Sequence, residues 1–169
     1  MAIRRVLALA VLVVCAVVGV AGTPAPASAA GTWTWPVTGP VIRGFDPPDS
    51  PFGAGHRGID IAVPYGSVAV APADSRVAFA GPVGGRLFIT LDHGGGLEST
   101  FSWVSSLEVR RGDQIRQRQP IAHTGGGHTG DPVANLHFGV KLDDAYVDPL
   151  EYLSALDLSA LIRLAPLAV

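Results

Sequence analysis

The sequence predicts an all-β domain, an antiparallel sheet or sandwich ending in a short C-terminal helix. Three observations carry that expectation. Turn formers are abundant, with 21 glycines and 14 prolines in 169 residues, a composition that suits many short strands. Between the turn clusters lie brief runs of Val, Ile, Phe and Thr, residues that fit a pleated, half-buried surface. Only Asp148-Pro149-Leu150-Glu151 reads as a helix start, with a capping carboxylate followed by proline at the first helical position.

The chain supports one domain with a sizeable core, preceded by a segment of different character. Arg4-Arg5 is a positive start, Val6 to Val20 is unbroken apolar sequence, and Ala27-Ser28-Ala29 offers a small-x-small cleavage pattern. The apolar run of about 15 residues is short of the roughly 20 a bilayer requires. Residues 1–29 are therefore expected to be a removed signal peptide, residues 30–155 the domain, and 156–169 an apolar tail. The predicted destination is secreted or extracytoplasmic, with no membrane association after cleavage. Removing Arg4 and Arg5 takes the net charge from −2 to −4 and leaves no cysteine, so no disulfide is available. Mild acidity without a basic run argues against nucleic acid.

The strands are read in order. Gly31 to Pro40, alternating Thr and Trp, is expected as an entry strand, and Arg43 to Gly55 as a Pro/Gly loop. Gly58 to Val63 is a short strand turned by Pro64-Tyr65-Gly66. Val68 to Ala71, Arg76 to Ala80 and Arg86 to Leu91 follow, separated by Pro72-Ala73-Asp74 and Gly81-Pro82-Val83-Gly84-Gly85. Asp92-His93-Gly94-Gly95-Gly96 turns the chain into Leu97 to Trp103. Gly112-Asp113 makes a tight turn within Val109 to Ile121, Gly125 to Asp131 is a glycine-rich loop, and Leu136 to Leu142 is a further strand. Leu150, Leu153 and Leu156 then recur at helical spacing.

The chemistry concentrates in His56-Arg57-Gly58-Ile59-Asp60 and in Asn135-Leu136-His137-Phe138. Two imidazoles and a carboxylate, His56, Asp60 and His137, are a donor set that zinc takes with a position left for water. On a strand, residues 135 and 137 share a face, which places Asn135 beside the metal's open position. The bland alternative is a structural pair of His56 with Asp60, without metal; His137, together with the resemblance described next, favours the metal.

Here the sequence resembles the lysostaphin/LytM group of zinc metalloendopeptidases, the M23 peptidase family. The likeness rests on His56-x-Gly58-x-Asp60, Asp60-Ile61-Ala62-Val63-Pro64-x-Gly66-Ser67 and Ser75-Arg76-Val77-Ala78-Phe79-Ala80-Gly81. It continues through Leu91-Asp92-His93-Gly94-Gly95-Gly96, Gly112-Asp113-x-Ile115 and Leu136-His137-Phe138-Gly139-Val140, spanning about Pro36 to Tyr152. The resemblance implies a LytM-type sheet with an open groove, one zinc ion per chain on His56, Asp60 and His137, and peptidoglycan as the partner. It also implies hydrolysis of cell-wall peptide bonds, with zinc polarising the scissile carbonyl and acidifying its water.

Two departures qualify that expectation. Trp103 and Asn135 stand where the family places the histidines that transfer protons and stabilise the oxyanion. Neither shuttles a proton at neutral pH, and loss of a general acid–base group typically costs about 10²- to 10⁴-fold in rate. Trp103, Asn135 and His128 are expected to line the substrate cleft, with His128 able to swing over it from the glycine-rich loop. His123 reads as a strand-face histidine and His93 as a turn residue bonding backbone. Trp33 and Trp35 read as core rather than a sugar-stacking surface. Arg118 stands where the family usually has glycine, and Asp143-Asp144 reads as a solvated turn. The expected function is thus a secreted zinc-site domain acting on peptidoglycan with impaired or atypical activity; the alternative is an inactive pseudo-peptidase that binds the wall or activates a partner hydrolase. A biotinyl- or lipoyl-type carrier is excluded because Lys141, the only lysine, falls on a strand rather than in a turn.

Overall fold

A computed structural model describes residues 32–50, 53–128 and 132–153. The expected signal segment and apolar tail lie outside the described residues. Among the described residues, ten antiparallel strands form one sheet: β1 Val41–Arg43, β2 Ile59–Ala62, β3 Val68–Val70, β4 Ser75–Val83, β5 Arg86–Asp92, β6 Leu97–Leu107, β7 Gln114–Ile115, β8 Pro120–Thr124, β9 Asn135–Leu142 and β10 Ala145–Val147. The main path runs β1-β2-β9-β6-β5-β4-β7, with β10 on β9 and the β3–β8 pair attached through β8 to β6. Among the described residues, no helix is long and apolar enough to cross a membrane.

β6 joins the two parts of the sheet. Its first half, Leu97 to Ser102, pairs with β9, and its second half, Val104 to Leu107, pairs with β8. Trp103 lies at the changeover, and the register against β5 shifts there, from Leu87↔Val104 to Phe88↔Ser102. Trp103 is the extra residue of a β-bulge and holds a φ of 57°. A bulky side chain rarely adopts this left-handed conformation, which costs about 1–3 kcal/mol and clusters at functional sites.

Alternation along the central strands separates core from site. Ile59 and Ile61 of β2 sit opposite Phe138 and Leu136 of β9, and all four are fully buried. Phe101 meets Phe138 edge-on, with ring centroids 5.3 Å apart, an arrangement that suits the ring quadrupoles. Ile89, Leu91, Val77 and Trp33 extend this layer. The intervening residues, Asp60 of β2 and Asn135 and His137 of β9, belong to the opposite face.

Several expected elements change length. Gly31 to Pro40 is not a ladder strand: Trp33 makes an isolated bridge to Leu153, and Pro36 and Pro40 have no N–H to donate. Trp33 is fully buried, as a core tryptophan should be. β4 runs on through Gly81 and Pro82, so the turn shrinks to Gly84-Gly85, both with positive φ. Pro82 is tolerated because its pairing is with Leu87 on the β5 side, while β7 pairs only with Ser75 and Arg76. Asp143 and Asp144 have φ of 48° and 67°, and this two-residue turn builds β10, a strand missing from the sequence reading. Arg118, at the position expected to favour glycine, has φ 67°. The C-terminal helix is a single 3-10 turn, Pro149–Glu151, capped by the Asp148 side chain, which accepts from the Leu150 N–H.

Candidate metal centre

Asp60 and His137 are direct cross-strand partners in the β2–β9 ladder, so one register brings them together. The His137 Nδ1 lies 2.8 Å from Asp60 Oδ1. His56 reaches the same point from the loop before β2, its Nε2 being 3.1 Å from Asp60 Oδ1 and 3.1 Å from His137 Nδ1. Gly58 makes this approach possible, because a Cβ there would run into the Phe138 carbonyl. The loop is pinned by backbone pairing of Asp46 with His56.

His56 Nδ1 lies 2.7 Å from the Gly44 carbonyl oxygen. A carbonyl only accepts, so Nδ1 carries the proton and Nε2 of the neutral ring presents a lone pair toward the site. Such an outer partner is the usual means of fixing the orientation and tautomer of a metal-bound histidine. Sequence reasoning did not find Gly44, since a backbone acceptor leaves no residue-type signal.

Asp60 is 2% exposed. Burial works to raise its carboxyl, but the hydrogen bond with His137, that with His56 and the two imidazole charges outweigh it, holding the group well below the usual carboxylate range. The Asp60 carboxylate therefore faces His56 Nε2, the ring nitrogen left over from the contact with Gly44. A proton or a metal ion shared between these two atoms, 3.1 Å apart, is what lets them lie so close. A tetrahedral zinc with bonds of about 2.0–2.1 Å spaces its donors about 3.3 Å apart. The observed 2.8–3.1 Å triangle is close to that spacing, and two imidazoles with one carboxylate are chemically suited to zinc. The residues fit the ion.

The structure adds His128 to this group. Its Nε2 lies 3.3 Å from Asp60 Oδ1, and donor atoms of His56, Asp60, His128 and His137 all fall within 4.8 Å of one another. Trp103 holds the imidazole from above, with ring centroids 3.8 Å apart and the planes inclined at 63°. Trp103 is itself 5.6 Å from the His137 ring and packs near Phe88 and the Arg86 guanidinium. Asn135 is 1% exposed; its Nδ2 donates to the Val133 carbonyl, and a Cβ at Gly127 would collide with its amide. The glycine-rich loop thus covers Asn135 and brings His128 to the face that carries Asp60 and His137.

The other histidines stay apart. His93 is buried on the Trp33 ring, with Nδ1 donating to the Asp74 carbonyl and Nε2 bonded to Ser99 Oγ. His123 faces Ser106 and Glu108 on the sheet surface.

A comparison with known families matches residues 54–149 to "Peptidase family M23". The uncharacterized protein Rv2891 of Mycobacterium tuberculosis is 36% identical over 174 residues, covering 98% of this chain and 67% of that protein. The murein hydrolase activator NlpD of Escherichia coli is 34% identical over 124 residues, covering 72% of this chain; the chain spans only 31% of NlpD. Csd3 of Helicobacter pylori superposes with a TM-score of 0.62 at 25% identity, over 73% of this chain and 35% of that one.

Proposed function

This chain belongs to peptidase family M23, and from that premise we propose that it is an exported zinc-binding domain directed at peptidoglycan, with hydrolysis strongly attenuated. The observation carrying this reading is the convergence of His56 Nε2, Asp60 Oδ1 and His137 Nδ1 within 2.8–3.1 Å of one another. Zinc held there supplies Lewis acidity to a peptide carbonyl and makes water a stronger acid. The protein's part is to fix that donor set: the β2–β9 register aligns Asp60 with His137, and Gly44 orients His56. Proton transfer is where the site is poor. Trp103 offers one N–H and no base, while the Asn135 amide is committed to the Val133 carbonyl. Removal of residues 1–29 during export accounts for the apolar N-terminal run and places the domain in the cell envelope.

A second reading is a non-hydrolytic domain that activates a separate wall hydrolase. Two observations favour it: the Trp103–His128 cover over the metal face and the similarity to NlpD, which is named a murein hydrolase activator. Purified peptidoglycan incubated with the zinc-loaded chain tests both. New peptide termini that vanish on chelation support attenuated hydrolysis. Sedimentation with the wall without new termini, together with stimulation of an added wall hydrolase, supports the activator. Neither cleavage nor wall binding sinks the proposal.

A further inference from the structure

We propose that His128 is a fourth protein ligand to the metal, closing the coordination sphere that His56, Asp60 and His137 begin; the proposal rests on the metal-binding reading above. Three observations point there. The His128 Nε2 is 3.3 Å from Asp60 Oδ1, about the edge length of a tetrahedral zinc sphere. It is shielded from solvent and turned toward the site, although the ring as a whole is about a quarter exposed. Its ring also stands nearly perpendicular to that of His137, at 85° with centroids 5.3 Å apart, so the two imidazoles approach from different directions without stacking.

The fold supplies the support such a ligand requires. Gly127, at φ 81°, lies against the Asn135 amide where no side chain fits. That contact ties down the residue immediately before His128. On the other side the Trp103 indole meets the imidazole at a centroid separation of 3.8 Å. The bulge at Trp103 aims the indole there, and its strained φ is what an over-determined position at a functional site looks like. Trp103 is therefore a positioning residue for His128. With His128 bound the ion would have three imidazoles and one carboxylate and no vacancy for water. Hydrolysis therefore requires His128 to leave the sphere, which accounts for the attenuation proposed above.

Zinc-edge X-ray absorption on the zinc-loaded full chain counts imidazole ligands directly. Three imidazoles are expected; two imidazoles with a solvent oxygen overturn the proposal without any variant being made. Chelator competition gives a second readout. His128→Ala should weaken zinc binding by about tenfold or more and lower the imidazole count to two; parental affinity in that variant also overturns the proposal. Trp103→Ala should lower the count while Trp103→Phe preserves it, and an unchanged count in Trp103→Ala removes the positioning role. Failure of the underlying reading looks different: the parent chain takes up no zinc, or His137→Ala binds it as tightly.

Discussion

The indole of Trp103 and the imidazole of His128 meet with ring centroids 3.8 Å apart, directly over the Asp60–His137 pair. A bulge residue in a left-handed conformation and a loop histidine thus lie together against the face that carries Asp60 and His137. On the proposed reading the Asp60–His137 pair holds metal beneath Trp103 and His128, and the following outcomes are expected from that geometry.

Metal removal should lower stability. A ligand that binds only the folded state stabilises it by about 4 kcal/mol at a thousand times its dissociation constant. Thermal melts with zinc and with excess chelator should differ by several degrees in the parent and converge in His137→Ala. A parent chain whose midpoint ignores zinc would count against the site.

Reopening proton transfer should restore turnover. Trp103→His combined with Asn135→His places two imidazoles at the positions now lacking a base, and each general acid–base group contributes about 10²- to 10⁴-fold. A rise of roughly a hundredfold or more in release of wall peptides is expected, measured at equal zinc occupancy. Because the Asn135 amide packs under Gly127, the larger imidazole introduced at that position has to displace the loop. Zinc occupancy that survives with no gain in rate argues against a disabled peptidase frame.

Gly58→Ala should damage both stability and metal binding. The added methyl meets the Phe138 carbonyl and crowds Gly139, and overpacking of this kind costs about 1–3 kcal/mol. Since β2 must lie against β9 to align Asp60 with His137, zinc affinity should fall together with the denaturation midpoint. Parental affinity in a folded Gly58→Ala variant contradicts that coupling.

The acid limb of stability should report on His93. Burial pushes its imidazole from 6.5 down to about 4, with the Asp74 carbonyl and the Asp92 charge offsetting only part of the shift. Between those values the unfolded chain holds more protons than the folded one. The stabilisation is complete above about pH 6.5 and is lost as the pH falls toward 4, amounting to about 3 kcal/mol in all. Urea titrations of the metal-free protein at about pH 7.5 and about pH 4.5 should show most of that loss, and His93→Gln should flatten it. An equal loss in the variant assigns the titration elsewhere.

The class of fold and most strand segments could be read from the chain because each is written locally. The grouping of His56, Asp60 and His137 drew on their chemistry and on the family resemblance, and only the fold brings the three side chains together. Period-two runs punctuated by Gly and Pro specify strands, and a histidine four residues before a carboxylate on a strand marks one end of a site. Element lengths were less accessible. β4 extends through Gly81 and Pro82, and the expected turn at Asp143-Asp144 proves to be a hairpin turn that leads into β10, a three-residue strand too short to stand out in the sequence. What lies over the metal is a matter of long-range packing. Nothing local to His128 distinguishes a loop histidine in solvent from one held 3.3 Å from Asp60; that placement depends on the bulge at Trp103, where β6 exchanges β9 for β8. The same applies to the Gly44 carbonyl behind His56 and to the burial of Asn135 under Gly127. Pairing between distant segments sets these contacts, and a side chain's partners across a sheet are fixed by register rather than by its neighbours in the chain.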